Sequence, residues 1–501
     1  MSHYPLLFTP IDLGGMTLAN RTVLTAMVTR LSGTDGYVNQ DIIDRYLRFA
    51  MGEVGLIVVE ASAIHSAKSG QLLRMSEERF IAGHREMVKR IHATSSSKIA
   101  LQIIHFLKIA RSGWRQTVEM LSLEDIQLII QQYGEAAART RQAGYDAVEL
   151  HMAHAYTLSS FLSKRSNKRT DGYGGRSLES RMRMMTEVIV QVRKMVGADY
   201  PIGVRFDAEE CIKNGYGLSE SKYIALRMAQ LGVDYISLSA GGKFEDAIAK
   251  EGEALYPYTG YSGDRTMPPA TYQDGVNVYL AASIKSFINA HGLQTPIVTT
   301  GKISTPQLAE DILMKGQADL VGFARALLAD PDFPKKARLG ANEQIVRCIY
   351  GNVCKALDEK FKKVTCTLWL KHGLNAPIPA PDDIEPPTWP KGGEIKASRQ
   401  ENGRIRLNWE AAEDTHGVYG YEIFRAVNGG PFAHLTSSTT NRHIDMLALA
   451  GNAYTYHVRA YDFAGNRSQP SQSAEIMIPL PAILSENILQ LDGQTEASQG
   501  Y

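Results

Sequence analysis

The sequence predicts an α/β barrel of eight parallel strands, of the TIM (β/α)8 type, followed by an all-β sandwich. Three observations predict it. Eight short apolar runs alternate with longer amphipathic stretches up to about residue 340, a proline-rich stretch then interrupts the chain, and beyond it the hydrophobic pattern alternates residue by residue. Repeated strand and helix units permit an open doubly wound sheet or a closed barrel, and eight units over this length favour the barrel.

In order, the strand candidates are Thr22 to Met27, Gly55 to Ser62, Ile99 to Ile104, Ala147 to Met152, Ile202 to Phe206, Tyr235 to Ala240, Ile297 to Gly301 and Leu320 to Arg325. Each is a short apolar run, as a strand covered on both faces must be. The stretches between them carry helix signals. In SLEDIQLIIQQYGEAAARTRQAG, Ser122 is the N-cap, Asp125 follows three residues on, and Gly144 lies past the end.

Near residue 373 the sequence becomes NAPIPAPDDIEPPTWPKGG, a stiff extended linker. The segments IRLNW, YGYEIFR and TYHVRAY, separated by NGG and DFAGN, then alternate as antiparallel strands do. The expected boundaries are 1–372 for the barrel with a cysteine-containing extension, 373–390 for the linker, 391–480 for the sandwich and 481–501 for a tail. Trp409, Tyr421 and the run YTYHVRAYDFAGNRS make the sandwich resemble a fibronectin type III domain, an immunoglobulin-like fold.

Composition agrees with two globular domains, because single cores stop growing at roughly 250–300 residues and this chain has 501. With 44% hydrophobic and 21% charged residues, and 54 basic against 53 acidic, nothing points to a nucleic-acid or membrane partner. No run reaches transmembrane length and the first residues lack a secretory pattern, so a cytoplasmic protein is expected. Four cysteines are too few for a disulfide scaffold; Cys211 stands alone, while Cys348, Cys354 and Cys366 lie close together.

In a barrel of this type the chemistry sits at the C-terminal ends of the strands. Gly301 in TTGKIS, and Gly322 with Arg325 in VGFARALLADPD, suit a bound phosphate: glycine admits close backbone approach and arginine brings a permanent forked cation. Turn glycines and a surface ion pair are the alternative. Gln102 and Arg205, an amide and a cation at two strand ends, suit a heterocycle with carbonyl and ring N–H groups whose reduced form is anionic. A polar pair satisfying the protein's own backbone reads equally well.

His151-x-x-His154 admits a metal site, two structural histidines or a clamp for substrate. Zinc sites need a third ligand, and the helical zinc pair is spaced i, i+4 with a glutamate between. Here the spacing is three, Met152 and Ala153 intervene, and Glu149 reads as pointing elsewhere, which counts against the metal. Between structural histidines and a clamp, placement at the end of the fourth strand, opposite Gln102 and Arg205 and two residues before Tyr156, favours the clamp.

The runs LFTPIDLGGMTLANR, VELHMAHAYTLSSFLSKRSNKRTDGYGG and ADLVGFARALLADPDFPKKA resemble the Old Yellow Enzyme family of FMN-dependent NADH:flavin oxidoreductases. The resemblance spans about residues 1–370, and NRTVLTAMVT is similar to the branch of 2,4-dienoyl-CoA reductases and trimethylamine dehydrogenase. It implies FMN as cofactor and NAD(P)H as electron donor. The implied flavin contacts are Ala26, Met27 and Val28 through the backbone, and Ala61. Gln102 and Arg205 would hold the pyrimidine edge, with Gly301, Lys302, Gly322, Phe323, Ala324 and Arg325 around the phosphate. His151 and His154 would face the substrate, and Tyr156 would be the proton donor, a phenol being protonated below about pH 10. The implied reaction is hydride transfer to a small α,β-unsaturated carbonyl compound or thioester. Two other readings are a dehydrogenase or demethylase passing electrons to a protein acceptor, and a flavin-bearing interaction protein without turnover; the intact His151, His154 and Tyr156 argue against the last.

The sequence also departs from the family. Ala26 stands where proline or serine is usual, Val28 replaces a polar residue, and Ala155 replaces a glycine. The branch carries an iron–sulfur cluster on three closely spaced cysteines and a fourth about a dozen residues later. RCIYGNVCKALDEKFKKVTCTLW retains Cys348, Cys354 and Cys366 but has Gly351 at the place of the second cysteine. Three thiolates allow a cluster with one open or non-cysteine position, a remnant, or a thiol-containing loop. No G-x-G-x-x-G unit follows the barrel, so the expectation is hydride taken directly from a nicotinamide or electrons from a separate donor protein. The sandwich would serve docking or homo-oligomer contacts.

Overall fold

The computed structural model describes residues 4–66, 71–108, 116–242, 263–369, 383–400, 404–415, 417–438, 440–462 and 464–479. The chain forms two compact units, one of residues up to Thr367 and one mostly of residues from Pro377 onward. Most of the expected linker, and the expected tail, lie outside the described residues.

In the first unit a hairpin of β1 (Ile11–Leu13) and β2 (Met16–Leu18) precedes eight parallel strands: β3 (Thr22–Leu24), β4 (Leu56–Ala63), β5 (Lys98–Ile104), β6 (Ala147–Met152), β7 (Ile202–Glu209), β8 (Tyr235–Ala240), β9 (Ile297–Thr299) and β10 (Leu320–Phe323). They form a closed barrel in chain order, β10 pairing with both β9 and β3. All eight expected runs are strands, but their ends differ. The first, seventh and eighth strands stop two or three residues early, at Leu24, Thr299 and Phe323, leaving Met27 and Gly301 in the loops above them and Arg325 at the start of the short helix Arg325–Ala329. The fifth continues to Glu209, so Arg205 lies inside a strand rather than at its tip.

The helix Leu123–Gln142 illustrates how the sequence sets its elements. Ser122 Oγ accepts the Asp125 amide at 3.1 Å and Asp125 Oδ2 accepts the Ser122 amide at 2.9 Å, a reciprocal cap on two otherwise unpaired donors. Ile126, Ile129, Ile130, Tyr133 and Ala137 form its buried stripe, and Gly144 takes a left-handed φ of 92° just beyond its end.

Leu13, Met16 and Leu18 of the hairpin cluster with Val23, Leu56, Val58, Ala100, Ala147, Tyr235, Val298 and Leu320, which fills the N-terminal end of the barrel with apolar side chains. The opposite end is left for a cavity.

Among its described residues the second unit has seven strands: β11 (Ile395–Arg399), β12 (Ile405–Trp409), β13 (Val418–Val427), β14 (Ala433–Ser438), β15 (Arg442–Asp445), β16 (Ala453–Asp462) and β17 (Ala474–Met477). They form antiparallel sheets of three (β11-β12-β15) and four (β14-β13-β16-β17) strands around Ile405, Leu407, Trp409, Ile423, Tyr456 and Val458. Alternate residues of β12 are buried, as the period-two pattern requires. The Tyr454 hydroxyl accepts the Leu449 amide at 2.7 Å, the corner bond typical of immunoglobulin-like sandwiches. Thr388 bridges Glu413 and Trp389 donates to the Gln469 carbonyl at 2.8 Å, so this end of the expected linker packs on the sandwich. No helix among the described residues is long and apolar enough to cross a membrane.

Candidate active site

A cavity of about 950 Å³ opens at the C-terminal end of the barrel strands. All fifteen residues expected to touch flavin or substrate line it: Ala26, Met27, Val28, Ala61, Gln102, His151, His154, Tyr156, Arg205, Gly301, Lys302, Gly322, Phe323, Ala324 and Arg325. Their gathering follows from the closed barrel, which brings β3, β4, β5, β6, β7 and the loops after β9 and β10 round one axis.

Gln102 and Arg205 form part of the floor and are almost wholly buried. Gln102 Nε2 donates to Glu149 Oε1 at 2.6 Å, and Arg205 donates to the Ser237 hydroxyl at 2.9 Å. Burial pulls the Arg205 guanidinium down from its ordinary range, while Glu149 and Asp207 support its charge.

The loops after β9 and β10 form the opposite side. A Cβ at Gly322 would lie 2.7 Å from Thr300 Cγ2 and 2.8 Å from Thr25 Cγ2, so only glycine lets the strand ends come this close. Lys302 is 3.1 Å from Asp274 and donates to the carbonyls of Ala270 and Tyr272, which uses its charge internally. Arg325 differs. It donates to the Pro268 carbonyl at 2.8 Å and to the Asn352 side chain, and its guanidinium lies 4.7 Å from the centre of the Tyr350 ring. Arg325 is buried and lines the cavity, and among the described residues no carboxylate pairs with it, a feature that suits an anion.

The two histidines converge because the chain bends sharply between them. His154 and Ala155 both take left-handed conformations, with φ of 62° and 58°. The bend is fixed by Asp207, which accepts the His154 amide at 2.7 Å, and by Ser159, which accepts the Ala155 amide at 3.0 Å. The imidazoles lie 5.1 Å apart, nearly perpendicular, and the Tyr156 ring is 5.2 Å from His151. His151 Nδ1 accepts the Ala153 amide at 3.2 Å, which puts its own ring proton on Nε2. His154 Nε2 lies 2.7 Å from Ser239 Oγ. Burial, helped by His151 and Arg205, holds the His154 pKa well below the usual imidazole range, so the ring is neutral.

Cys354 lines the cavity, whereas Cys348 and Cys366 do not. All four cysteines are free thiols. Cys348 Sγ accepts the Tyr350 amide at 3.4 Å, and burial pushes its thiol up to about 11. A Cβ at Gly351 would meet the Ile349 side chain at 3.8 Å, an ordinary contact, so a side chain is sterically tolerated at the place of the absent cysteine. The three thiols do not make a single-ion site: among the described residues the one group of three or more metal-ligating atoms within 4.8 Å of each other is Asp383, Asp414 and Asp462, in the second unit.

Several site residues escaped the sequence reading. Glu149 was expected to point elsewhere; it instead faces the interior and bonds Gln102. Strand alternation carries the missed signal, since Glu149 and His151 are two apart and must share a face. Ser237, Ser239 and Asp207 follow from the same rule once Arg205 is placed. Asn352 and Tyr350, which hold Arg325, have no comparable signal because the fold brings them from a separate loop.

A family model described as NADH:flavin oxidoreductase / NADH oxidase matches residues 6–344. An NADH oxidase from Thermoanaerobacter brockii is 34% identical over 373 residues, covering 70% of this chain and 54% of that protein. An NADPH dehydrogenase from Bacillus subtilis is 32% identical over 357 residues, covering 68% of this chain and 96% of the relative. Among solved structures, a 2-naphthoyl-CoA reductase in complex with 2-naphthoyl-CoA superposes with a TM-score of 0.63 at 25% identity, covering 73% of this chain and 57% of that one. The chain spans about half the length of some curated relatives that it matches, the NADH oxidase included. Strand order, cavity and matched region coincide over the barrel, and the chain belongs to the NADH:flavin oxidoreductase / NADH oxidase family.

Proposed function

We propose that this chain is an FMN-dependent ene-reductase that takes electrons from NAD(P)H and reduces a small α,β-unsaturated carbonyl compound or thioester. The observation that carries the proposal is that one cavity gathers the buried Arg325 cation, a polar floor and a His–His–Tyr group. The residues suit FMN. Gln102 and Arg205 would hold its polar ring edge, Ala26, Met27, Val28 and Ala61 would flank the ring, and Gly301, Lys302, Gly322, Phe323, Ala324 and Arg325 would surround its phosphate. When bound, FMN supplies the hydride that goes to one carbon of the substrate double bond.

The other groups act on the substrate. His151 offers its Nε2–H to the activating carbonyl oxygen. Ser239 Oγ lies 3.4 Å from Arg205 Nη2, a group that can only donate. When the Ser239 hydroxyl gives its own proton to His154 Nε2, the His154 proton sits on Nδ1 as a second donor for the substrate. Two neutral donors in a desolvated site stabilise charge developing on the carbonyl oxygen. Tyr156 gives its phenolic proton to the other carbon of the double bond, completing the addition of two hydrogens.

A yellow protein bleached anaerobically by NADH or NADPH and recoloured by an enone is the expected result. Failure of every activated alkene to reoxidise the reduced protein defeats the reading. Tyr156→Phe should slow reoxidation by about 10²–10⁴-fold and leave reduction by the nicotinamide nearly unchanged. Iron and sulfide analysis of the same sample decides whether Cys348, Cys354 and Cys366 carry a cluster. A cytoplasmic setting suits four free thiols. A separate electron-donor protein and homo-oligomer contacts through the sandwich complete the proposal.

A further inference from the structure

Glu149 is 1% exposed, carries an ionisable group, and has no place in the mechanism above. It sits in one layer of the barrel with Gln102 on β5, Gly203 on β7 and Tyr235 on β8, each directly beside the next in the strand register. Both of its oxygens are used. Oε1 accepts from Gln102 Nε2 at 2.6 Å, and Oε2 accepts from the Tyr235 hydroxyl at 3.1 Å. Gly203 makes the second bond available: a Cβ there would lie 2.0 Å from Tyr235 Cζ, so the tyrosine ring occupies the space that any other residue would fill.

Burial pulls the Glu149 carboxyl up from its ordinary range, while the Arg205 charge and the bonds from Gln102 and Tyr235 oppose that rise. In its ionised form the carboxylate only accepts, and Gln102 then turns its NH₂ toward Glu149. The Gln102 carbonyl oxygen, which makes no hydrogen bond among the described residues, is then the end presented to the cavity. A neutral partner in place of Glu149 would permit either orientation. The same carboxylate is the strongest electrostatic support of the Arg205 charge, one step further along the barrel.

We propose that Glu149 is a positioning residue that sets the polarity of the cavity floor. It locks the Gln102 amide with its oxygen toward the ligand, so that the site selects a ring edge bearing an imide N–H, and it balances the charge of Arg205. This rests on the flavin reading above. The buried charge thereby has a use that an apolar filler, which would fold as well or better, could not serve.

The test uses purified protein stripped of flavin and reloaded, with two ligands, FMN and FMN methylated on the imide nitrogen. Wild type should bind FMN about tenfold or more tightly than the methylated form, because the methyl leaves the Gln102 oxygen buried and unpaired. In Glu149→Gln that preference should shrink severalfold, and the midpoint potential of bound FMN should become more positive as Arg205 loses its counter-charge and favours the anionic reduced ring. Glu149→Asp keeps the charge but withdraws it from Gln102. It should lose preference while holding the potential near that of wild type, and it serves if the glutamine variant does not fold. Flavin-loaded variants that keep both the wild-type preference and the wild-type potential overturn the role of Glu149 alone. A wild-type protein that takes up no flavin overturns this role and the flavin reading together.

Discussion

Glu60 shows how one buried side chain ties the cavity wall to pH. It accepts the Thr29 amide and the Thr29 hydroxyl, each at 2.6 Å, immediately after the Ala26–Val28 loop. Burial lifts its carboxyl to about 7, against the pull of those bonds and of Arg45 and Arg30. With the folded pKa above the unfolded value of about 4.3, folding takes up a proton in this window. Its contribution is therefore fully present below about pH 4.3 and lost as pH rises through 7. Glu60→Gln should gain stability relative to wild type between those limits, read from urea midpoints at several pH values. A constant difference across that range would refute the assignment. Gly203→Ala is expected to cost about 1–3 kcal/mol, because the new Cβ meets the Tyr235 ring and the core must move. Single residues were legible where strand alternation and chemistry agreed, as at Gln102 and His151. The left-handed pair His154 and Ala155 was not read, because neither residue announces positive φ; the one signal was that Ala155 stands where the family has glycine.

Among elements, the eight strands could be read because parallel strands buried on both faces are continuous apolar runs. Their ends could not, since a strand stops where its neighbour in the barrel stops pairing, and that neighbour is set by closure rather than by local sequence. β3 illustrates this: Val23 and Leu24 pair with β4, and the run VLTAM leaves the sheet directly afterwards despite its apolar character. Helix caps are local, and the Ser122–Asp125 box was legible for that reason. Ser122→Ala should destabilise the barrel by about 1 kcal/mol in denaturant titrations, with no change in the cavity. The sandwich strands were equally plain, whereas the antiparallel bridge from Thr388 to Glu413 was hidden by the prolines around it.

The whole molecule has separate cores, and no residue of the sandwich core belongs to the barrel clusters. Ile423→Ala, at a fully buried position of the sandwich, should cost about 2–5 kcal/mol in that unit's unfolding transition while leaving flavin binding by the barrel unchanged. Loss of flavin from that variant would show that the units are not separate in stability. Closure of the barrel has a further consequence. Thr25 Oγ1 reaches the Phe323 carbonyl across 298 positions of sequence, and β3 finds its second neighbour only in β10. During synthesis on the ribosome, the first barrel strand therefore waits with a bare edge until almost the entire unit has emerged. A nascent chain halted before Leu320 would expose that edge and the edge of β9 at once, and both would be open to pairing with a strand of another chain.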